Sequence, residues 1–424
     1  MGDAAILMGE IRALKEAFGE SVEIEVSDQE PTVARRLYPG VRFAGGLNAR
    51  RATGQRWQKS PVMQSIRWRR TWLAVRMLRQ APALARMLFS TRQLEHLARI
   101  ERSDLVVATG GTYFVDHYNF SEKANELLAA QAYGKPTWLF TQSMGPFRRA
   151  SSRALMRRIV AGSRGVFLRD ERSREHLLEA GADAAKLSVH ADAAFALVEP
   201  GRGAGARVGG AATVAATAPA RARIAISVRS WAHARDDAES RYRRAVSDAA
   251  RALARAGHEV VFLSTCQGVP EYWTDDSRHA RGLLDELLAD EPSVQVDEHF
   301  RTPAELAEHL RGFDVAIATR MHFAILALSV ATPVVAIAYE FKSRELLRGL
   351  AMEEFVTDFE DVSGEWLVAR TTEVIARGPA LRGTIATMAN TLRADAMRPA
   401  QMIRDAMLAS ALGATPASAR DGGP

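Results

Sequence analysis

A chain of 424 residues, 47% of them hydrophobic, exceeds what one core usually supports, since single cores rarely grow past roughly 250–300 residues, and two domains are expected. A single cysteine, Cys266, excludes an intramolecular disulfide and a cysteine-based zinc site and suits a reducing compartment, the cytoplasm. The net charge is +6, no apolar run approaches the roughly 18–20 residues of a membrane span, and Met1-Gly2-Asp3 opens no basic leader with an apolar block behind it, so a soluble chain is expected.

In chain order, Leu7, Ile11, Leu14 and Phe18 fall on one helical face, and Val22–Val26 then alternates like a half-buried strand. Residues 60–100 read as helical, with Pro61 and Pro82 as breaks. The charge concentrates here: between Arg35 and Arg102 there are sixteen Lys or Arg against two Glu. With Trp57, Trp68 and Trp72 beside Arg67, Arg69 and Arg70, this segment suits an interfacial helix on an anionic membrane, or else an ordinary surface helical hairpin. No recognised nucleic-acid motif accompanies the charge, so nucleic acid is not expected as a partner.

Asp104–Ala108 is a buried-strand run ending in Thr109-Gly110-Gly111-Thr112, followed by a helix over 121–133. Lys135–Phe140 is the next strand and ends in Thr141-Gln142-Ser143-Met144-Gly145-Pro146. A helix over 153–161, a strand over 165–168, a helix over 174–180 stopped by Gly181, and a strand over 187–190 complete the first half. Residues 199–222, almost wholly Gly, Ala, Pro, Arg and Thr, read as a linker. The second half repeats the alternation: strands over 223–228, 259–264 and 294–296, with helices over 238–256, 277–290 and 303–311.

The unit that follows is the most telling. Asp314–Ala318 is a strand run that delivers Thr319-Arg320-Met321-His322 to an apolar helix, Phe323–Ser329, and Pro333–Ala338 ends at Tyr339-Glu340-Phe341-Lys342. Parallel strands joined in this way bring ligands to their carboxyl ends, beside helix amino termini that favour anions. Strand and helix alternate throughout. The expected fold is therefore α/β, with two doubly wound Rossmann-like domains facing across a cleft in a GT-B-like plan. The domains are set at 1–198 and 223–364, with helices over 365–412 and a frayed tail over 413–424.

Laid out this way, the chain resembles the polysaccharide pyruvyl transferase family, with a looser likeness to its colanic-acid branch. The residues that carry the resemblance are Gly2-Asp3-Ala4-Ala5-Ile6-Leu7, Gly110-Gly111, Gln142-Ser143-Met144-Gly145-Pro146, Arg169-Asp170 with Ser173, Ala191-Asp192 with Phe195, Arg320-Met321-His322, and Tyr339 with Lys342. The colanic-acid likeness rests on Ser264-Thr265-Cys266-Gln267 with Asp275-Asp276. Such proteins place a strand and an Asn-bearing turn before Gly-Asp. Met1 stands where that turn falls, so the first domain is expected to lack its opening strand.

The resemblance implies transfer of a pyruvyl group from phosphoenolpyruvate to a sugar of a polysaccharide or its lipid-linked precursor, as a cyclic ketal with release of phosphate. No cofactor beyond that donor is implied, and no metal site is demanded. Phosphoenolpyruvate is a three-carbon enol bearing a carboxylate and a phosphate, so anion clamps, an acid and a base are needed. Arg320 and Arg229, each at a strand end, are the candidate clamps, with structural ion pairs as the alternative. His322 is a candidate proton donor or phosphate ligand, or else a capping histidine. Lys342 is a candidate for neutralising the departing phosphate, and Glu340 a candidate base. Asp275 and Asp276 are candidates for a sugar hydroxyl, although helix capping explains them better.

In the first domain, Gly110, Gly111, Thr112, Gln142 and Ser143 are placed to line the acceptor half, with tight turns as the alternative. Asp170 reads first as a helix cap. His117 and Tyr118 follow the glycine pair without a placement. Two rival readings keep the fold and change the chemistry. One is a nucleotide-sugar glycosyltransferase in which Glu340 or Glu345 grips ribose, and the other is a non-catalytic anion-binding relative. The expected site of action is cytoplasmic, at the inner face of the membrane if the acceptor is lipid-linked.

Overall fold

The computed structural model describes residues 2–47, 61–116, 120–199, 221–230, 236–266, 275–338, 344, 346–348 and 352–413. They form two compact α/β units, here called the first (10–193 with 395–424) and the second (1–9 with 194–394).

The chain opens with helix α1 (Gly2–Phe18). Its buried stripe is Ala5, Ile6, Glu10, Ala13 and Leu14 rather than the expected Leu7–Ile11–Leu14–Phe18 face. Small residues at 5, 9 and 13 recur every four positions, which lets that side of the helix pack closely. The rotation carries Glu10 into the interior, and only Leu14 of the expected face is buried.

Strands β1 (Glu25–Asp28) and β2 (Arg42–Gly45) pair in parallel around α2 (Pro31–Leu37), with Glu25 opposite Arg42. The helical stretch comprises α3 (Pro61–Met77), α4 (Pro82–Met87) and α5 (Thr91–Arg102). Pro61 and Pro82 open helices rather than break one, because the first helical position needs neither an N–H nor a free φ. Ser90 and Gln93 form a reciprocal capping box that starts α5.

The main sheet of the first unit follows: β3 (Val106–Ala108), β4 (Gly111–Phe114), α6 (Ser121–Ala132), β5 (Thr137–Met144), α7 (Ala150–Gly162), β6 (Gly165–Leu168), α8 (Glu171–Glu179) and β7 (Leu187–Val189). All pairings are parallel in the order β3-β5-β6-β7, with β4 continuing beside β5 where β3 stops. Every residue of β5 is buried, as a central parallel strand with both faces covered requires. Its expected end at Phe140 is exceeded by four residues, so Gln142 and Ser143 belong to the strand itself.

The second unit contains β8 (Arg223–Ser227), α9 (Asp236–Arg255), β9 (Glu259–Phe262), α10 (Asp276–Leu287), β10 (Val294–Val296), α11 (Pro303–Leu310), β11 (Val315–Ala318), α12 (Met321–Ser329), β12 (Val334–Ala338), β13 (Val356–Asp358) and α13 (Gly364–Gly413). Its sheet is parallel throughout, in the order β10-β9-β8-β11-β12-β13. The Val-Ala-Ile runs of β11 and β12 are wholly buried. Each fully buried Ile or Val contributes on the order of 1.5–3 kcal/mol. α12 is apolar on all sides and buried from Phe323 to Ser329, as a helix with no polar face must be. α13 carries a non-helical kink at Gly378, and its residues from Asp395 onward cluster with the first unit. Residues 200–220, within the expected linker, and the tail from 414 lie outside the described residues.

Glu10 is only 4% exposed, and its carboxyl accepts from the Gly110 backbone N–H at 3.3 Å. Burial outweighs the lowering by the Thr109 hydroxyl and by the Gly110 N–H and pushes its pKa up to about 8. Between the unfolded value near 4.5 and about 8 the native state therefore binds the extra proton. Stability falls across this window as pH rises, because the slope follows the protons held by the unfolded minus the native state. Glu10→Gln is expected to remove that component and to gain stability over the parent above pH 8, read by urea denaturation across pH. Identical pH profiles for the two proteins would contradict a buried, protonated Glu10.

Candidate functional site

In the second unit the strand order reverses between β8 and β11, which are neighbours in the sheet although their crossovers lead to opposite sides. Ser227 pairs with Ala318 as the last register position, and Thr319 N donates to Ser227 O at 3.1 Å. Arg229 therefore follows β8, and Arg320 follows β11, from adjoining strand ends. Such a reversal opens a crevice at the carboxyl ends where α/β folds bind ligands.

Tyr242, on α9, joins the two ends. Its hydroxyl accepts from Arg229 N at 3.3 Å and lies 2.9 Å from Thr319 Oγ1. The ring is fully buried and stacks on Phe359, with centroids 4.4 Å apart. Burial pushes its phenol pKa up, so it stays a neutral hydrogen-bonding post. Ser227 Oγ is buried at the same level without a partner among the described residues.

Arg320 sits at the amino-terminal boundary of α12, and its side chain turns to Asp276. Nε and Nη2 donate to the two carboxylate oxygens at 2.7 Å each, a fork-on-fork pair. The side chains are 18% and 6% exposed. Asp276 is held in turn by the end of β9. Its N–H donates to Cys266 O at 2.8 Å, and Ser264 Oγ closes the Cys266 turn. Asp275, one residue earlier, is the cap of α10, accepting from Ser277 N at 3.1 Å and from Ser277 Oγ at 2.5 Å.

His322, on the first turn of α12, lies against Gly2 at the start of α1: a Cβ on Gly2 would stand 2.6 Å from His322 Nδ1. Glycine at position 2 is therefore a packing requirement of the imidazole. The amino termini of α1 and α12 thus meet at His322, and both present main-chain N–H groups that favour negative charge. The second unit brings together Arg229, Arg320, His322 and Asp276, with Asp275 beside them as a cap. Glu340 and Lys342, with Tyr339 and Glu345, lie outside the described residues, as do His117 and Tyr118.

The first unit gathers its own polar cluster at the carboxyl ends of β4 to β7. Arg169, the residue after β6, donates from Nε to Ser143 Oγ at 2.6 Å, from Nη1 to Asp192 Oδ2 at 2.5 Å and from Nη2 to Thr112 Oγ1 at 2.8 Å. Ser143 donates to Asp170 Oδ2 at 2.6 Å, and the other oxygen of Asp170 caps α8 at Ser173 N, 2.7 Å away. Gln142 donates its amide to Thr109 O. Gln142 Oε1 is buried without a partner among the described residues. Gly110 N meets Glu10, and Gly111, at φ +137°, has no room for a Cβ beside the Tyr113 ring.

Thr141 sits at φ +30° where the register of β5 against β6 shifts, an unusual state for a β-branched residue. Strain of this kind persists only where surrounding contacts enforce it. Here Thr141 Oγ1 accepts from Ala193 N at 3.3 Å. Gln142 and Ser143, directly after the shift, are 0% and 3% exposed. Thr112, Gln142, Ser143 and Asp170 are thus tied into one network rather than displayed separately. Its hub, Arg169, and its neighbour Glu10 were not among the expected site residues. Two signals mark Arg169: its position immediately after a strand run, and its place in the Arg169-Asp170 pair of the family resemblance. Glu10 becomes visible only once the buried stripe of α1 is assigned through Ala5, Gly9 and Ala13.

The chain is 28% identical over 290 residues to the amylovoran biosynthesis protein AmsJ of Erwinia amylovora, and the aligned stretch covers 65% of this chain and 66% of that relative. Among solved structures, a UDP-GlcNAc 2-epimerase from Neisseria meningitidis bound to UDP-GlcNAc matches with a TM-score of 0.56 at 13% identity, over 96% of this chain and 97% of that one. A glycosyltransferase from Rickettsia africae matches with a TM-score of 0.52 at 12% identity, over 94% of each chain. At such identities the structural likeness establishes the GT-B-like fold. The description polysaccharide pyruvyl transferase matches residues 1–340, and the chain belongs to that family.

Proposed function

We propose that this chain transfers a pyruvyl group from phosphoenolpyruvate to two hydroxyls of a sugar, in a polysaccharide or its lipid-linked precursor, forming a ketal and releasing phosphate. Membership of the pyruvyl transferase family and the likeness to an amylovoran biosynthesis protein support it. The observation that carries the donor assignment is the adjacency of the Arg229 and Arg320 strand ends at the reversal between β8 and β11. A compact, multiply charged anion suits cations and helix amino termini at one spot.

In the proposed reaction a proton is delivered to the methylene carbon, which becomes the methyl group. The second carbon, now oxocarbenium-like, is captured by one sugar hydroxyl, phosphate leaves, and the neighbouring hydroxyl closes the ketal as it loses its proton. Arg229 and Arg320 hold carboxylate and phosphate, and Asp276 orients Arg320. His322 is the proposed donor to the methylene carbon, a role typically worth about 10²–10⁴-fold. Lys342 and Glu340 keep their proposed roles, phosphate neutralisation and hydroxyl deprotonation, on sequence position alone.

The first unit is the proposed acceptor side. There the Arg169 network frames the strand ends, and sugar contacts fall to the turns it holds. The proposed compartment is the cytoplasm, where the single cysteine, Cys266, stays reduced.

Incubating the full chain with phosphoenolpyruvate and a saccharide acceptor pool is expected to release phosphate and add to one acceptor the mass of pyruvic acid less one water. Nucleoside diphosphate release from nucleotide sugars, with phosphoenolpyruvate untouched, would instead favour a glycosyltransferase. Arg320→Lys, which keeps the charge and loses the fork, is expected to lower kcat/KM for phosphoenolpyruvate about 10²-fold. Asp276→Asn should raise the KM for phosphoenolpyruvate and leave the acceptor KM unchanged, as an orienting residue requires. Arg320→Ala is a poorer probe, because stranding the buried Asp276 carboxylate costs about 3–5 kcal/mol of stability. Unchanged donor kinetics in Arg320→Lys and Asp276→Asn enzymes of normal stability would remove the pair from the donor site.

A further inference from the structure

We propose that the outer face of α3 and α4 docks on an anionic lipid bilayer. The charge pattern is the first support. From Pro31 to Leu94 the chain has no Asp or Glu. Arg69, Arg70, Arg76, Arg79, Arg86 and Arg92 are all exposed, and none makes a salt bridge among the described residues. Elsewhere the arginines of this chain habitually pair with carboxylates, as Arg241 does with Asp237 and Arg377 with Glu354. Here the guanidinium groups are left to solvent and open to an anion from outside.

Apolar exposure is the second support, and it is independent of charge. Ile66 and Leu73, seven residues apart on one side of α3, are 54% and 47% exposed, and on α4 Leu84 and Met87 are 58% and 80% exposed. The opposite sides of both helices carry Ala74, Val75 and Ala85 into the core of the first unit, and Leu78, just after α3, joins them. Both exposed faces therefore point away from one common core. Arg76 lies over the Trp72 ring, 4.6 Å from its centroid, so a cation and an amphipathic ring sit together as they do at headgroup level.

These features select among occupants. A second copy of the face would meet its own positive charge. A soluble polyanion would satisfy the arginines and leave Leu84 and Met87 in water. A bilayer with acidic headgroups satisfies both, since interfacial helices combine apolar burial with attraction to anionic lipid. Among the described residues no helix is long and apolar enough to cross a membrane, so the contact is peripheral.

The test is flotation of the full chain with phosphatidylcholine vesicles, with and without phosphatidylglycerol. Binding is expected only to the anionic vesicles, falling at least about tenfold when salt is raised from roughly 0.05 M to 0.5 M, because exposed charges are then screened. The double variant Leu84→Glu/Met87→Glu should lose at least about tenfold in partitioning while keeping its circular dichroism, thermal midpoint and turnover of a water-soluble acceptor. Equal binding to neutral vesicles, no binding at low salt, or normal partitioning by a folded double variant would overturn the proposal. Binding to heparin or RNA without vesicle binding would overturn it as well. Vesicle binding is measured without donor, so its failure is separate from a failure of the phosphoenolpyruvate reading.

Discussion

The reversal of strand order between β8 and β11 is the constraint on which the proposed donor site depends. Because both strands are parallel and in register, their carboxyl ends stop at one level, Ser227 beside Ala318. Their crossovers then leave on opposite sides, the arrangement that opens a crevice above such a pair. The residues that follow, Val228-Arg229 and Thr319-Arg320, must stand at that gap. Tyr242 fixes their spacing through one hydroxyl shared between Arg229 N and Thr319 Oγ1. Sheet topology thus makes the cationic site, and the local residues only tune it.

Tuning takes the same form in both units. In each, an arginine just beyond a strand is held by a nearly buried aspartate: Arg320 by Asp276 and Arg169 by Asp192. A guanidinium fixed in this way loses little freedom when it later meets an anion, and preorganisation of this sort is what electrostatic stabilisation needs. The two sites differ in what surrounds the pair. Around Arg169 two further donors bond Ser143 and Thr112, and its side chain is 6% exposed. Arg320 stands at the amino-terminal boundary of α12, two residues before His322, and its side chain is 18% exposed. The first arrangement builds a frame, and the second suits a ligand.

Much of this was legible in the residue order. Continuous runs of Ile, Val and Ala placed β8, β11 and β12 closely, because parallel strands buried on both faces leave no alternation to misread. Capping chemistry was legible at Asp170 and Asp275, although α8 and α10 begin at Glu171 and Asp276 rather than at 174 and 277, and Asp276, read with Asp275 as a cap, pairs instead with Arg320. Features set by partners distant in sequence were harder to read. The buried face of α1 depends on what packs against it, so Leu7 and Ile11 drew attention that belonged to Ala5, Ile6 and Glu10. β4 and β13 are short and carry little pattern of their own, and they are strands because β5 and β12 lie beside them. The pairing of Arg320 with Asp276 spans 44 positions and leaves no periodic signal.

The most direct test of the donor-site assignment is a crystal structure of the chain soaked with phosphoenolpyruvate or a non-reactive analogue. The account predicts the carboxylate and phosphate at the carboxyl ends of β8 and β11, within hydrogen-bond reach of Arg229 and Arg320 and beside His322. Density for the analogue at the Arg169 cluster, with Arg320 unchanged on Asp276 and no anion near Arg229, would contradict it.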